Sequence, residues 1–237
     1  MEKNNYDFCI VITTYNREEE LKKLLNDIFL NNPYNILVLV FDDGSDKIYD
    51  LSDYNLKYIK FLNNHGKKKF WIMVNKIFNY CKNIKSEYFV FLQDDQRISD
   101  FFLKKSMEKF ENIIDPKKIS LELRTDSRTT RSNWTNFEPI PIGDYIKTQW
   151  VELDFICKYD FFKTLNFTVD PINESRWEKN PNLSTGVGHQ LSTRLNKMGF
   201  SMYHVKNSLI SHGMLESKLF YELRKKEKLI SKIDNNG

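Results

Sequence analysis

Apolar residues in this chain fall into short runs rich in β-branched side chains, separated by segments in which they recur three or four positions apart. The short runs predict buried strands at residues 8–13, 36–41, 58–62, 88–92 and 119–123. The helical spacing between them predicts helices at residues 16–29, 67–81 and 99–110. Strands that alternate with helices are typical of an α/β domain with a mostly parallel sheet and right-handed crossovers.

Polar residues at two points are expected to begin helices. Asn16 has Glu19 three residues later, as in a capping box, and Ser99 precedes the third helix. Pro33 is expected to stop the first helix, because proline cannot continue one.

The second half of the chain has a weaker pattern. From residue 125 to 149 periodicity fails, and polar and proline residues dominate, which is typical of a functional or mobile loop. The further predicted elements are a strand at 150–157, a short helix near 160–165, an irregular stretch at 170–185, a helix at 188–198 closed by Gly199, strands at 200–205 and 209–210, and a charged helix from 214 to about 232. We expect one domain over residues 1–237.

Composition narrows the class of protein. The 237 residues suffice for one α/β domain, and a hydrophobic content of 41% is globular. A formal net charge of +4 permits an anionic partner without requiring nucleic acid. Cys9, Cys81 and Cys157 lack metal-binding spacing, and Cys9 and Cys157, which stand in apolar runs, are expected to be small core residues in a reducing compartment. No apolar stretch reaches the length of a signal peptide or a membrane span, so we expect a soluble, cytoplasmic protein.

Two of the predicted strands end in a pair of aspartates. Asp94 and Asp95 follow the run 87–93, and Asp42 and Asp43 follow the run 36–41. Adjacent carboxylates repel each other and become stable together when a divalent cation lies between them and a phosphate. An aspartate after a strand also serves as a turn or helix cap. The repetition of the pattern favours a nucleotide and metal site at one edge of the sheet.

Three motifs follow one another along the first half of the chain: Val-Ile-Thr-Thr-Tyr-Asn-Arg at 11–17, Phe-Asp-Asp-Gly-Ser-Asp at 41–46 and Phe-Leu-Gln-Asp-Asp at 91–95. Their order and spacing resemble those of inverting GT-A glycosyltransferases of the family 2 type. The resemblance covers residues 10–97 and resumes at 186–212. It implies a GT-A fold with a nucleotide-sugar-binding half (1–123), an acceptor-binding half (124–213) and a C-terminal helix (214–237).

The resemblance also implies an activity, the transfer of a sugar from a nucleotide-diphosphate-sugar to an acceptor hydroxyl with inversion. A UDP-sugar is the foremost donor, and Mn²⁺ or Mg²⁺ would stabilise the leaving diphosphate. Asp95 would bind the metal, and Asp94 the metal or the donor. Gln93 replaces the first acid that the family often has. His212 would be a further metal ligand, or else only a turn residue.

The remaining donor contacts are assigned by the same resemblance. Thr13, Tyr15 and Arg17 would line the base pocket, and Asp42 or Asp43 would accept a hydrogen bond from the base and position the ribose. The family's Ala-Arg-Asn is absent. In its place a run of three lysines that ends at Lys69 opens a helix, where free N–H groups suit a pyrophosphate; a solvated charge run is the alternative.

A second departure concerns the catalytic base. Where the family carries Glu-Asp at the start of a helix, this chain has Val187 and Gly188. His189, one residue further on, has an ordinary pKa suited to base work, although it could instead cap the helix. Asp154 and Glu152, on the preceding predicted strand, are the rival bases.

Acceptor recognition is expected in the irregular half. Trp177 and Arg176 are the foremost candidates, with Trp134 and Trp150 as further stacking surfaces and Arg124, Arg128 and Arg131 as contacts to an anionic acceptor. The basic residues of the C-terminal helix are interpreted as a solvated face.

The acceptor itself stays open between a lipid-linked sugar, a protein, a glycan and a hydroxymethylated DNA base, the last suggesting a phage- or virus-type enzyme acting in a host cytoplasm. The rival functions are a nucleotidyltransferase and a catalytically silent binding module for a nucleotide-sugar or nucleic acid.

Overall fold

The computed structural model describes residues 6–30, 32–125, 138–178, 180 and 183–212. Trp134, Arg128, Arg131 and the expected C-terminal helix lie outside these residues. Within them, no helix is both long and apolar enough to traverse a bilayer.

The described strands are β1 (Tyr6–Thr14), β2 (Ile36–Asp42), β3 (Leu56–Lys60), β4 (Ser86–Gln93), β5 (Gln96–Ile98), β6 (Lys118–Glu122), β7 (Ile140–Ile142), β8 (Tyr145–Thr148), β9 (Phe155–Cys157), β10 (Ser201–Val205) and β11 (Ile210–His212). The described α-helices are α1 (Glu18–Phe29), α2 (Gly66–Cys81), α3 (Phe102–Glu111), α4 (Asp160–Thr164) and α5 (Val187–Lys197), and a 3₁₀ turn covers Glu174–Trp177.

Nine of the strands form one sheet in the order β3-β2-β1-β4-β9-β6-β10-β8-β7. β1 pairs in parallel with both β2 and β4, and Thr13 lies opposite Phe41 on one side and Gln93 on the other. The carboxyl ends of three successive parallel strands therefore lie side by side. Both aspartate pairs follow these ends, as expected for an open α/β sheet that binds a ligand at this edge.

Helices cover both faces of the sheet. α1 and α3 contribute Leu21, Leu24 and Phe102 to a buried cluster on one face. α2, α4 and α5 contribute to the cluster on the other face, where Phe78 and Phe162 lie 5.2 Å apart, centroid to centroid, in an edge-to-face contact. The fold is the expected α/β architecture with a mostly parallel central sheet.

A separate two-stranded sheet lies beside the aspartate turn. β5 begins directly after Asp95 and pairs antiparallel with β11, so that Gln96 is opposite His212. This pairing brings a residue from the end of the described chain to the carboxyl end of β4, across 117 positions of sequence.

Several expected details are wrong for identifiable reasons. β9 is shorter than the strand predicted at 150–157 and runs antiparallel to β4 and β6. The described part of the expected loop at 125–149 contains the β7–β8 hairpin at the sheet edge. Local periodicity cannot reveal either feature, because both depend on pairing with distant strands.

The predicted helix caps are also wrong. α1 begins at Glu18. The side-chain amide of Asn16 instead donates a hydrogen bond to the Asp46 carboxylate and accepts one from the backbone N–H of Asp46. Ser99 does not cap α3, whose N-cap position is held by Phe101 in the left-handed region.

Gly44 follows the first aspartate pair at a φ of +78°, and a Cβ there would lie 2.6 Å from the backbone carbonyl carbon of Asn63. Gly143, in the β7–β8 turn, has a φ of +54° but open space around it. We expect Gly143→Ala to lower the free energy of unfolding by about 1–2 kcal/mol, the cost of a left-handed alanine. Gly44→Ala should cost clearly more, because the backbone clash is added.

Urea unfolding of both variants measures this difference. Equal losses for the two glycines would contradict the close approach between the loops at 44 and 63.

Candidate active site

Asp94 and Asp95 form a buried turn after β4, and each residue is 5% exposed. Asp94 Oδ2 accepts a hydrogen bond of 2.8 Å from the Thr14 hydroxyl and one of 3.3 Å from the backbone N–H of Tyr15. Burial raises the pKa of Asp94 to about 6, helped by the charge of Asp95 and opposed by the charge of Arg17. The carboxyl of Asp94 is thus held by the end of β1.

Asp95 has a different environment. Its Oδ2 accepts a hydrogen bond of 2.7 Å from Arg17, and Nδ1 of His212 lies 3.3 Å from its Oδ1. Burial by itself would raise the pKa of Asp95, but the hydrogen bonds and charges of His212 and Arg17 outweigh it and lower the pKa to about 2. Asp95 is therefore the fully ionised member of the pair.

Arg17 contacts the aspartate turn. Its Nη1 atom lies 3.3 Å from Asp94 Oδ1 and 2.7 Å from Asp95 Oδ2, and its side chain is 12% exposed. Two buried carboxylates attract a guanidinium strongly. The contact with the nucleotide base that the resemblance implies for Arg17 stays a prediction.

The first aspartate pair accepts hydrogen bonds from its own loop, from β3 and from the start of α2. Asp42 accepts from the backbone N–H and the hydroxyl of Ser45, at 2.8 and 2.6 Å, and from the phenol of Tyr58. Asp43 accepts from the backbone N–H groups of His65 and Gly66, at 3.0 and 3.2 Å, and so caps α2. Asp42 and Asp43 therefore have the geometry of aspartates that cap a turn and a helix.

The capped end of α2 changes the expectation for the lysine run. The carboxylate of Asp43 occupies the position in which free N–H groups would hold a phosphate. Lys69 is exposed, whereas Lys67 is half-buried and its pKa is lowered by burial and by the neighbouring charge of Lys68. Lys67 is thus better enclosed than Lys69. The side chains of Thr13 and Tyr15 are half-buried at the end of β1.

The acceptor half brings three candidate residues together. The Trp150 indole N–H donates a hydrogen bond of 2.8 Å to Glu152, and its ring lies 5.9 Å from the His189 ring, centroid to centroid. His189 is exposed on the first turn of α5, where burial of its inner side and then the charge of Arg176 lower its pKa. The helix begins at Val187, so His189 does not cap it.

Gly188 explains how α5 approaches this cluster. A Cβ at this position would lie 2.6 Å from the backbone carbonyl oxygen of Val151. The first turn of the helix therefore lies directly against the segment that carries Trp150 and Glu152, and only glycine permits this contact.

The remaining acceptor candidates have structural contacts. Trp177 is 4% exposed, and its indole N–H donates to the backbone oxygens of Leu183 and Ser184, so its ring does not present a stacking face. Arg176 is half-buried and donates to Ser184, with its charge acting on His189.

Asp154, the rival base, is fully buried. Its Oδ2 accepts hydrogen bonds of 2.9 Å from Arg124 and 3.3 Å from Gln96. Its Oδ1 and Oε1 of Glu122 find no donor among the described residues, and a proton on Glu122 would supply a donor within this pair. Burial, and then the charge and hydrogen bond of Asp154, raise the pKa of Glu122 well above its usual range. Asp154 thus lacks the exposure that a base requires.

This buried network connects both halves of the site. Gln96 lies next to Asp95, and Glu122 accepts a hydrogen bond of 2.8 Å from the backbone N–H of Glu152. Sequence reasoning missed Thr14, Gln96 and Glu122. The signal for Glu122 was present, since it is the only charged residue in the apolar run 119–123.

A divalent cation is implied by the resemblance, and the donor set fits one in part. Among the described residues no group of three His, Cys, Asp or Glu side chains is already arranged to hold a metal. Asp95 and His212 nevertheless place an ionised carboxylate and an imidazole together, which are donors that suit Mn²⁺. Other ligand positions would be left to a bound diphosphate and water.

An α/β sheet with acidic residues at the carboxyl ends of its parallel strands is an arrangement of the GT-A type. The chain belongs to glycosyl transferase family 2, which it matches over residues 9–162. An uncharacterized glycosyltransferase of Mycoplasma genitalium, MG025, is 33% identical over 113 residues. These residues are 45% of this chain and 36% of that protein, so the chain spans little more than a third of its relative.

Solved structures show the same fold at low identity. S. aureus TarS residues 1–349 superpose with a TM-score of 0.56 at 14% identity, over 87% of this chain and 60% of that one. The mannosyltransferase PcManGT from Pyrobaculum calidifontis, solved with GDP-Man and Mn²⁺, gives 0.54 at 14% identity, over 98% of this chain and 65% of that one.

The raised pKa of Glu122 makes a prediction about stability. Because the folded state keeps a proton that the unfolded state releases, the free energy of unfolding should fall as pH rises above the ordinary pKa of 4.5 toward the raised one. We expect a fall of up to about 1.4 kcal/mol per pH unit that is absent in Glu122→Gln. Urea unfolding of both proteins from about pH 5 upward measures the difference.

The comparison of slopes isolates Glu122. Burial lowers the pKa of His204 to about 4 and raises that of Asp94 to about 6, but both groups titrate in the variant as they do in the unaltered protein. Glu178→Gln, at an exposed position, should keep the slope of the unaltered protein. Equal slopes in Glu122→Gln and the unaltered protein would contradict a protonated Glu122.

Proposed function

We propose that the chain transfers a sugar from a nucleotide-diphosphate-sugar to an acceptor hydroxyl with inversion at the anomeric carbon. The observation that carries the proposal is the approach of His212 to Asp95 at the carboxyl end of β4, 3.3 Å apart and enforced by the β5–β11 pairing. A strand pairing that gathers an imidazole and an ionised carboxylate beside a parallel-sheet edge suits the leaving diphosphate of such a donor.

Donor binding would use the edge formed by β1 and β4. Thr13 and Tyr15 stand half-buried at the end of β1 and would contact the nucleoside, with Tyr15 stacking on the base. Lys67 would face the diphosphate in preference to Lys69. The donor is expected to be a UDP-sugar; since PcManGT binds GDP-Man, GDP-sugars are the first alternative to test.

A divalent cation, Mn²⁺ or Mg²⁺, would be held by Asp95 and His212 and would supply positive charge to the departing diphosphate. Asp94 would support the site from the side of β1, because hydrogen bonds from Thr14 and Tyr15 hold its carboxyl there.

The acceptor hydroxyl would lose its proton to His189. In the transfer, the acceptor oxygen bonds to the anomeric carbon, the bond from that carbon to the diphosphate breaks, and the hydroxyl proton passes to the imidazole. His189 is exposed beside Trp150, whose indole offers a surface for an acceptor sugar. Its lowered pKa keeps it neutral, and therefore able to accept a proton, at neutral pH.

Asp95→Asn should abolish stabilisation by donor in the presence of Mn²⁺, because the ionised ligand is lost. His212→Ala should weaken Mn²⁺ binding and leave residual activity, since a neutral donor contributes less than a carboxylate. Thermal shift with Mn²⁺ and a panel of UDP- and GDP-sugars measures both, as a bound ligand raises stability by mass action.

The control for the metal prediction is Asp53→Asn, which removes an exposed carboxylate and should behave as the unaltered protein. An Asp95→Asn variant with full Mn²⁺-dependent stabilisation and turnover would disprove the assignment of Asp95.

The base assignment predicts a pH profile. The transfer rate should fall at acid pH, and because the pKa of His189 is lowered, the midpoint of this fall should lie below the ordinary histidine pKa of about 6.5. His189→Gln should remove this acidic limb and lower the rate by about 10²–10⁴-fold, the usual worth of general-base help. The measurement is single-turnover transfer from pH 5 to 8.

Glu152→Gln is the matched variant, because Glu152 contacts the same indole and should leave the acidic limb in place. If the limb survives in His189→Gln and disappears in Glu152→Gln, Glu152 is the base.

A further inference from the structure

The loop after β1 holds Arg17 in contact with the turn formed by Asp94 and Asp95. Asn16 adopts a left-handed φ of 52° and is fixed to the neighbouring loop by hydrogen bonds of 3.0 and 2.9 Å with Asp46. The backbone N–H of Arg17 donates a hydrogen bond of 2.8 Å to the phenol of Tyr49. These contacts fix the backbone after β1. The Arg17 side chain therefore starts from a fixed position and reaches both aspartates.

The guanidinium stands where positive charge is needed. The side chains of Asp94 and Asp95 are 8% and 6% exposed, and a single nitrogen of Arg17 contacts both. The closer contact, 2.7 Å, is to Oδ2 of Asp95, the residue that would be the principal metal ligand. A divalent cation on Asp95 would lie beside this guanidinium, and two like charges in a buried site repel each other strongly.

We propose that Arg17 is the internal counter-cation of the aspartate pair and is exchanged for the divalent cation when the site is loaded. The inference rests on the proposed metal role of Asp95. It assigns Arg17 a competition with the metal, in place of a contact with the nucleotide base. The same residue would stabilise the unloaded site and set the concentration of metal required to fill it.

The exchange predicts opposite effects on two quantities. Arg17→Gln should lower the melting temperature in the absence of metal, because the paired carboxylates lose their counter-charge. It should also tighten Mn²⁺ binding about tenfold, equivalent to about 1.4 kcal/mol, because the competing cation is gone. Isothermal titration with MnCl₂ alone, without donor, measures the affinity independently of activity.

Arg97→Gln is the matched control. Arg97 lies two residues after Asp95 and carries the same charge, but it pairs with Glu20 and with the backbone oxygen of Gln96. Loss of this charge should leave Mn²⁺ affinity nearly unchanged. If Arg97→Gln tightens binding as much as Arg17→Gln, the effect is general electrostatics and the exchange is disproved.

Two further results keep the inference separable from the metal site itself. Unchanged or weaker Mn²⁺ binding in Arg17→Gln, with measurable binding to the unaltered protein, disproves the exchange and leaves the metal site standing. Binding to neither protein contradicts the metal site and the exchange together. Should Arg17→Gln fail to fold, a crystal structure of the unaltered protein with Mn²⁺ decides: Arg17 should have left Asp95, and an intact contact of 2.7 Å beside bound Mn²⁺ would disprove the exchange.

Discussion

Two adjacent carboxylates in a buried turn are stable only when hydrogen-bond donors and positive charge surround them. The architecture around Asp94 and Asp95 satisfies this requirement from three directions. The end of β1 supplies the hydroxyl of Thr14, the loop after it supplies Arg17, and the β5–β11 pairing supplies His212. The elements that meet at this edge of the sheet are therefore tied together by one electrostatic requirement.

The two aspartate pairs follow the same sequence pattern but have different surroundings. Asp42 and Asp43 accept hydrogen bonds from backbone N–H groups of the segments beside them, and so they fix the backbone around the site. Asp95 is held by the side chains of Arg17 and His212, which come from distant elements. The two pairs thus differ in the origin of their partners.

The strands and helices of the first half could be predicted because their patterns are local. β1, β2, β4 and α2 lie within two residues of their expected positions. The antiparallel direction of β9, the β7–β8 hairpin and the contact of Arg17 with the aspartates could not be predicted, because each depends on partners far away in the sequence. The two aspartate pairs lie at the same edge of the sheet, as their sequence pattern predicted, whereas the burial of Asp154 and the exposure of His189 could be learned only from the structure.

The missing side chain at residue 188 has a consequence for protein engineering. The resemblance implies an acid at this position, but a Cβ at residue 188 would lie only 2.6 Å from the backbone carbonyl oxygen of Val151. Gly188→Asp alone should therefore not place a carboxylate at the start of α5, because the helix and the segment at 151 would first have to separate. An acid at this point needs at least two coordinated changes, one that supplies the side chain and one that moves the backbone away from it.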